Sequence, residues 1–496
     1  MKKSSLLSSR GYTQALERLS LLGSNRTSTR LFEVQKAAPS TASDKPAPRK
    51  DLNADAIPEM LTWLRRAGYT PHDLCRMRHI HVAGTKGKGS VCAYATTILR
   101  KYGRVGTFTS PHLLSPRERI AIDGEPVEKE LFARSFFEVW DRLTEAARKE
   151  GKTAAEAEGP ESKPFYFRFM TILAWHIFIN QGIRDVVFEC GIGGEYDATN
   201  VLPADAVSAA VVSQLGIDHV AMLGDTVEKI AWHKAGVFKR GKKAFTRRLD
   251  GQPEVMAVLR SRAEDKGAIL EEIEDGIVNA WGGVKGTLKG DFQKFNQALA
   301  ICAVREHLGL ESTVRASVQN PPEEMIEALR EARLRGRGEV IEDGGIQWCL
   351  DGAHTKDSLI EVARWYGQEL DENEKVVLIF NQPEREISEL LTAFMSTVKA
   401  VSGREDIFSH SLFTTNDVEG PAADEIRDLA VQQKGAETMK LLASDCQVQT
   451  FNNIRDGILE ARRICKDPGG AKRVLVTGSM HLAGGVIGIL EPWNTA

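Results

Sequence analysis

One stretch constrains the fold more than any other: His79-Ile80-His81-Val82-Ala83-Gly84-Thr85-Lys86-Gly87-Lys88-Gly89-Ser90. It reads as a short apolar strand, a glycine-rich turn and a helix that starts near Val91. A strand passing into a helix this way is a building unit of parallel α/β sheets. Backbone N–H groups of such a turn, with the helix N-terminus, form a cradle for phosphate oxygens. Lys88 supplies positive charge for the terminal phosphates, and Gly84, Gly87 and Gly89 let the backbone come close. The spacing departs from the usual G-x-x-x-x-G-K-[ST] pattern. Val82 stands where the first glycine belongs, and Gly89 separates Lys88 from Ser90. Taken alone, the stretch is a phosphate loop or an ordinary strand-to-helix turn.

At 496 residues the chain is too long for one compact core, so two or three domains are expected. A formal net charge of −3 gives no reason to expect nucleic acid or an anionic membrane as partner. The seven cysteines are scattered without a C-x-x-C pair, which points to reduced thiols inside a cell. The most apolar run, Phe169 to Ile179, is too short to span a bilayer and carries His176. The first fifty residues are mildly basic and rich in Ser and Thr. They read either as a mitochondrial transit segment or as a basic terminus before a helix over Thr13–Leu22. The second reading is preferred, which places the protein in the cytoplasm with a mitochondrial pool as the further compartment.

Along the chain, Ala38 to Lys50 carries three prolines and reads as a connecting segment. Helix is expected over Ile57–Ala67 and Val91–Tyr102, and strand over Val105–Ser110. A hairpin follows, turning at Asp123-Gly124. Leu131–Arg148 is a helix, Thr153–Lys163 a polar surface loop, and Phe165–Asn180 a buried helix. Asp185–Cys190 is a buried strand ending in an acid, followed by the glycine-rich loop Gly191–Gly194. Ala206–Leu215 is another apolar strand, ending in Gly216-Ile217-Asp218-His219, with a helix over Thr226–Val237. Helices are expected over Leu288–Arg305 and Pro321–Arg335, with a hinge at Arg335-Gly336-Arg337-Gly338. A second α/β unit then begins, with strands at Ile346–Leu350, Val376–Phe380, Ser411–Thr415 and Val474–Thr477.

Three successive strand ends carry Ser110, Glu189 and His219. In an open parallel sheet such ends border one crevice, which is where ligands bind. Glu189, beside a phosphate loop, is where a Mg²⁺ ligand is expected; its alternative is a surface carboxylate.

The ordered set of motifs carries a resemblance. It comprises Gly84–Ser90, Thr109-Ser110-Pro111-His112-Leu113, Glu189–Gly194 with Asp197-Ala198-Thr199-Asn200, and Gly216–His219 with Lys234-Ala235-Gly236. Asp351-Gly352-Ala353-His354 and Val476-Thr477-Gly478-Ser479 complete it. From about Tyr12 to Leu490 the chain resembles the folylpolyglutamate synthases of the Mur ligase superfamily, and their eukaryotic branch in particular. The resemblance implies a variable segment over 1–50, an ATP-binding domain with a mostly parallel sheet over 51–335, and a smaller Rossmann-like domain over 336–496. It also implies a reaction. ATP phosphorylates the γ-carboxylate of a reduced folate, and the amine of L-glutamate attacks the acyl phosphate.

Carried over position by position, Gly84, Thr85, Gly87, Lys88, Gly89 and Ser90 hold the ATP phosphates. Asn296, Arg337 and Asp351 contact the nucleotide. Ser110, Glu189 and His219 match Mg²⁺ ligands, His219 being a less usual one for so hard a cation. Lys88, Lys234 and His354 are the catalytic set. Lys234 matches a lysine that is carbamylated in relatives, where it helps hold a second Mg²⁺. A monovalent cation such as K⁺ belongs to the same expectation. The implied partners are a tetrahydrofolate polyglutamate, L-glutamate and ATP, acting on a monomer with no integral membrane segment.

Two departures stand out. Relatives commonly carry Arg-Asp after the strand that here ends Phe380-Asn381, where this chain has Gln382-Pro383-Glu384-Arg385-Glu386. A His-Gln or His-Asn pair often precedes the Asn296 position, and here it is Phe292-Gln293. The nearest alternative activity is that of dihydrofolate synthase, which adds the first glutamate to dihydropteroate. A P-loop kinase would not need the second α/β domain with its Asp-Gly-Ala-His loop. A silent binding protein would not need Lys88, Glu189 and His219 together.

Overall fold

A computed structural model describes residues 10–23, 53, 55–310, 313–372, 374–383, 386–420 and 427–491. The expected linker at 38–50 and the transit reading lie outside these residues. Two compact units are formed. The second unit gathers the chain from Ala332 onward and adds Leu113–Ser115 and Lys285–Gln293.

The first unit is built on an eight-stranded sheet. Its strands are β1 (Arg78–Ala83), β2 (Val105–Phe108), β3 (Ile120–Ile122), β4 (Glu125–Pro126), β5 (Asp185–Glu189), β6 (Val207–Val212), β7 (Lys243–Arg247) and β8 (Ile269–Ile273). The spatial order is β4-β3-β2-β5-β1-β6-β7-β8. Strands β2, β5, β1, β6, β7 and β8 run parallel, and β3 and β4 form an antiparallel edge. The edge hairpin turns at Asp123 and Gly124 with φ of 55° and 84°, the paired positive values a two-residue type I′ turn requires.

The central strand β1 lies between β5 and β6, so three strand ends that bear functional motifs are immediate neighbours. These strands are buried on both faces, as helices on each side of a parallel sheet demand. On one face the helix Tyr166–Asn180 is buried around most of its circumference. Phe188 stacks there between Phe108 and Trp175, with centroids 4.6 and 5.2 Å away. On the other face Ala210, Val212, Phe238 and Leu259 form a separate apolar cluster.

The second unit holds a six-stranded sheet. Its strands are β9 (Glu339–Asp343), β10 (Ile346–Leu350), β11 (Val376–Phe380), β12 (Phe408–Thr414), β13 (Gln447–Phe451) and β14 (Arg473–Thr477), in the order β13-β12-β11-β14-β10-β9. All neighbours are parallel except β9 with β10. Residues 285–293 belong here because the Thr287 hydroxyl donates to the Ala332 carbonyl and Lys289 Nζ lies 3.4 Å from Glu369.

Several sequence expectations are corrected. The helix after the phosphate loop begins at Lys88, not near Val91, and the later one begins at Gln293, not Leu288. Thr153–Lys163 is not a surface loop. Thr153 caps a short helix, Ala154–Glu158, and Lys163 is buried with its ammonium 2.6 Å from the Ala157 carbonyl. The charged helix is shorter than Pro321–Arg335, running Glu323–Glu331. Among the described residues, no helix is long and apolar enough to cross a membrane.

Candidate active site

The glycine-rich turn after β1 leans on the chain that leaves β6. The N–H groups of Thr85 and Lys86 donate to the Gln214 carbonyl at 2.8 and 3.2 Å. The Thr85 hydroxyl donates to the Gly216 carbonyl at 3.0 Å, and the Ser213 hydroxyl to the Lys86 carbonyl at 2.7 Å. Two glycines are required by contact. A Cβ on Gly84 would lie 1.9 Å from Ser213 Oγ, and one on Gly87, at φ +83°, 2.4 Å from Asn296 Oδ1. Asn296 therefore packs on the phosphate loop itself. Gly87 precedes the helix Lys88–Leu99 and has no side chain to cap it. First-turn amides and the helix dipole at such an end favour an anion.

Two cations meet at this turn. Lys88 Nζ donates to the Gly84 carbonyl at 3.0 Å, and Lys234 Nζ donates to the same oxygen at 2.8 Å. Lys234 is buried, at the end of the helix Val227–Lys234. Burial, reinforced by the charge of Lys88, pushes its ammonium down to about 7. Lys88 Nζ also lies 3.9 Å from Glu189 Oε1. The buried Glu189 carboxylate accepts the Ser110 N–H through Oε2 at 3.0 Å.

The structure thus brings Lys88, Lys234, Glu189, Ser110 and Asn296 around one turn. His219 stands on the loop beyond β6 with φ of 48°, its side chain 45% exposed and Nε2 3.7 Å from Asp218 Oδ2. Among the described residues, no group of three or more His, Cys, Asp and Glu side chains gathers as a metal cage. A buried carboxylate beside a phosphate loop nevertheless fits Mg²⁺. That ion is bound through one or two carboxylates, with substrate phosphates and water completing its shell.

In the second unit Asp351 follows β10 and is fully engaged. Its Oδ2 accepts the Gly338 N–H and its Oδ1 the Ala353 N–H, both at 2.8 Å. Burial pushes its carboxyl up, against the pull of Arg337 and of those two amides. Asp351 therefore fastens the loop that carries Arg337. The Nδ1 atom of His354 is 3.0 Å from the Gly352 carbonyl. Gln382, after β11, donates through Nε2 to the carbonyls of His354 and Gly478 at 3.1 and 2.9 Å.

Ser213 escapes a reading of the sequence by strand ends, and Gln382 and Asp197, quoted in the sequence without a site role, acquire one. Ser213 closes around Gly84, Gln382 clasps two loops, and Asp197 organises the turn after Glu189. Asp197 carried a signal, a polar D-x-T-N run between a glycine-rich loop and an apolar strand.

Residues 337–489 match the family described as dihydrofolate synthetase, C-terminal domain. The structure of Mycobacterium tuberculosis folylpolyglutamate synthase complexed with ADP superposes with a TM-score of 0.67 and 23% identity, over 88% of this chain and 94% of that one. The two sheets thus share the fold of that structure. Over 465 residues the chain is 40% identical to folylpolyglutamate synthase of Neurospora crassa, covering 88% of this chain and 86% of the relative. It is 37% identical to that of Saccharomyces cerevisiae over the same length, covering 88% and 82%. The chain belongs to the folylpolyglutamate synthases, ATP-dependent ligases that extend folates with glutamate.

Proposed function

We propose that the turn formed by Gly84–Ser90, with Lys88, Lys234 and Glu189 around it, binds ATP and drives addition of L-glutamate to the γ-carboxylate of tetrahydrofolate polyglutamates. The observation that carries the assignment is the convergence of two ammonium groups on the Gly84 carbonyl beside a buried carboxylate. An ADP complex of a protein with the same fold supports nucleotide binding.

The chemistry follows from that arrangement. A carboxylate oxygen attacks the γ-phosphorus of ATP, the bond to the bridging oxygen breaks, and ADP leaves. The acyl phosphate then has a good leaving group. The glutamate amine attacks its carbonyl, phosphate departs and a proton is lost from nitrogen. Phosphoryl transfer of this kind needs positioning and charge neutralisation more than covalent help. Lys88 supplies positive charge, Lys234 adds its own once a bound anion holds it protonated, and the amides of Gly87–Ser90 orient phosphate oxygens. Glu189, Ser110 and His219 would hold Mg²⁺, which would neutralise charge developing on the phosphates. Asp351 holds the Arg337 loop toward nucleotide binding, and His354 serves the glutamate end of the reaction. We place the reaction in the cytoplasm, with a mitochondrial pool, carried out by a monomer without nucleic-acid partners.

The test is ADP release dependent on both folate and glutamate. Lys88→Ala and Glu189→Ala are each expected to lower it by about 10³-fold. Near-normal turnover in either variant would contradict the assignment. A second reading, dihydrofolate synthase activity, is favoured by the description of the family matched over residues 337–489. Product from dihydropteroate would establish it.

A further inference from the structure

The four residues Asp197-Ala198-Thr199-Asn200 lie between the loop after β5 and the strand β6, and they touch no atom of the proposed reaction. Their hydrogen bonds nonetheless run to β1, to the loop after β5 and to the turn after Lys234. Asp197 is buried, and its Oδ2 accepts the N–H groups of Gly191 and Ile192 at 3.0 and 2.9 Å. Its Oδ1 accepts the Thr199 N–H at 2.9 Å and the Thr199 hydroxyl at 2.6 Å. Thr199 Oγ1 also lies 2.8 Å from His81 Nε2, on β1 just before the phosphate loop.

The direction of these bonds is fixed by counting protons. A hydroxyl has one hydrogen, and Thr199 gives it to Asp197. The same oxygen must therefore accept from His81, whose Nε2 carries the proton. Burial pushes His81 well below its ordinary value, so the ring is neutral and this tautomer is defined. Cys190 Sγ completes the group, 3.1 Å from His81 Nε2 and 3.4 Å from Thr199 Oγ1. Asn200 extends the link: its Nδ2 donates to the carbonyls of Glu195 at 3.0 Å and Gly236 at 3.2 Å. Gly236 lies two residues beyond Lys234.

We propose that the relay His81–Thr199–Asp197 positions the loop that follows Glu189 against the strand that carries the phosphate loop, and so sets the reaction rate from outside the site. Thr199 is its central positioning residue, because its hydroxyl bonds both Asp197 and His81. A directional chain of hydrogen bonds admits one register between β1 and the loop, whereas apolar packing would tolerate small shifts. Misplacing groups that stabilise a transferring phosphoryl is costly, and partners behind such groups commonly control activity 10- to 100-fold.

The inference rests on the placing of the phosphate site at Glu189, and the experiment separates the two. Full-length enzyme is compared as wild type, Thr199→Val, Thr199→Ser and Glu189→Gln, with kcat and each KM measured. Valine keeps the shape and removes the hydroxyl; serine keeps the hydroxyl. Thr199→Val is expected to lower kcat by about 10- to 100-fold while KM for glutamate stays unchanged, and Thr199→Ser to restore turnover. Wild-type turnover in Thr199→Val, or a serine variant as impaired as the valine one, would overturn the relay. Glu189→Gln with normal turnover would overturn the phosphate site itself, whatever Thr199 does. Should Thr199→Val fail to fold, His81→Gln, which keeps an N–H donor, and His81→Leu, which lacks one, take its place. Loss of turnover in the leucine variant alone supports the relay, and equal turnover in both overturns it.

Discussion

Lys88 and Lys234 donate to one atom, the carbonyl oxygen of Gly84, from 3.0 and 2.8 Å. Two ammonium groups on a single neutral acceptor would repel each other, and burial beside Lys88 accordingly pushes Lys234 down to about 7. An anion placed between them offsets that repulsion. On the proposed phosphate site, a bound anion would hold Lys234 in its protonated form.

Lys234→Met follows directly. The thioether fills the same volume and removes the buried charge. The variant is expected to lose about 10²-fold or more in turnover while its urea midpoint stays equal to or above that of the wild type. Chemical denaturation beside ADP-release kinetics checks both halves. A large fall in stability would mean that the lysine serves the fold.

Gly87→Ala places a Cβ 2.4 Å from Asn296 Oδ1 and imposes a left-handed backbone on alanine. The backbone alone costs about 1–2 kcal/mol, and the overlap adds to it. Asn296→Ala removes the overlap but leaves the backbone cost. A double-mutant cycle in urea should therefore show the pair less destabilised than the sum of the single variants. Simple additivity would mean that Asn296 moves freely away from the loop.

Gln382→Ala leaves the carbonyls of His354 and Gly478 without the buried amide that now serves both. Unsatisfied buried groups cost about 1–3 kcal/mol each. The variant is expected to lose stability on that scale and to lose kcat through a loosened His354 loop. Restoration by Gln382→Glu would contradict this, since a carboxylate cannot donate to carbonyls.

Lys163 offers a pH test away from the site. Its ammonium is buried against the Ala157 carbonyl and over the Trp140 ring, and burial pushes it down to about 8. The unfolded chain titrates this group near 10.5, so between about 8 and 10.5 it holds more protons than the folded one. Stability contributed at this position therefore rises with pH through that window and is lowest below it. The difference in unfolding free energy between wild type and Lys163→Met should grow in favour of wild type from pH 8 to pH 10. A flat difference would contradict the depressed value.

Strand β1, the phosphate loop, β5 with its terminal Glu189, and the buried helix at 166–180 were legible because strong apolar runs end at glycine or acid. Strands β9 and β13 were not. Their sequences, Glu339–Asp343 and Gln447–Phe451, are polar because each forms a sheet edge, where one side needs no burial. The start of the helix at Gln293 was misplaced because Leu288 and Phe292 can be read as its first apolar positions, yet residues 285–293 pack with the second unit. Thr153–Lys163 reads as solvent-exposed from its charges, but Lys163 finds carbonyl acceptors inside. The relay through Thr199 was invisible for a different reason. Its members lie 118 positions apart, and only the pairing of β1 with β5 and β6 brings them together.

The most direct test is mass spectrometry of folate products after incubation with Mg-ATP and L-glutamate, with tetrahydrofolate monoglutamate and dihydropteroate offered in parallel to wild type and Lys88→Ala. A ladder of added glutamates on tetrahydrofolate, present in the wild type and absent in Lys88→Ala, is the predicted result. An equal ladder from both proteins, or no extension by folded wild-type enzyme, would contradict it.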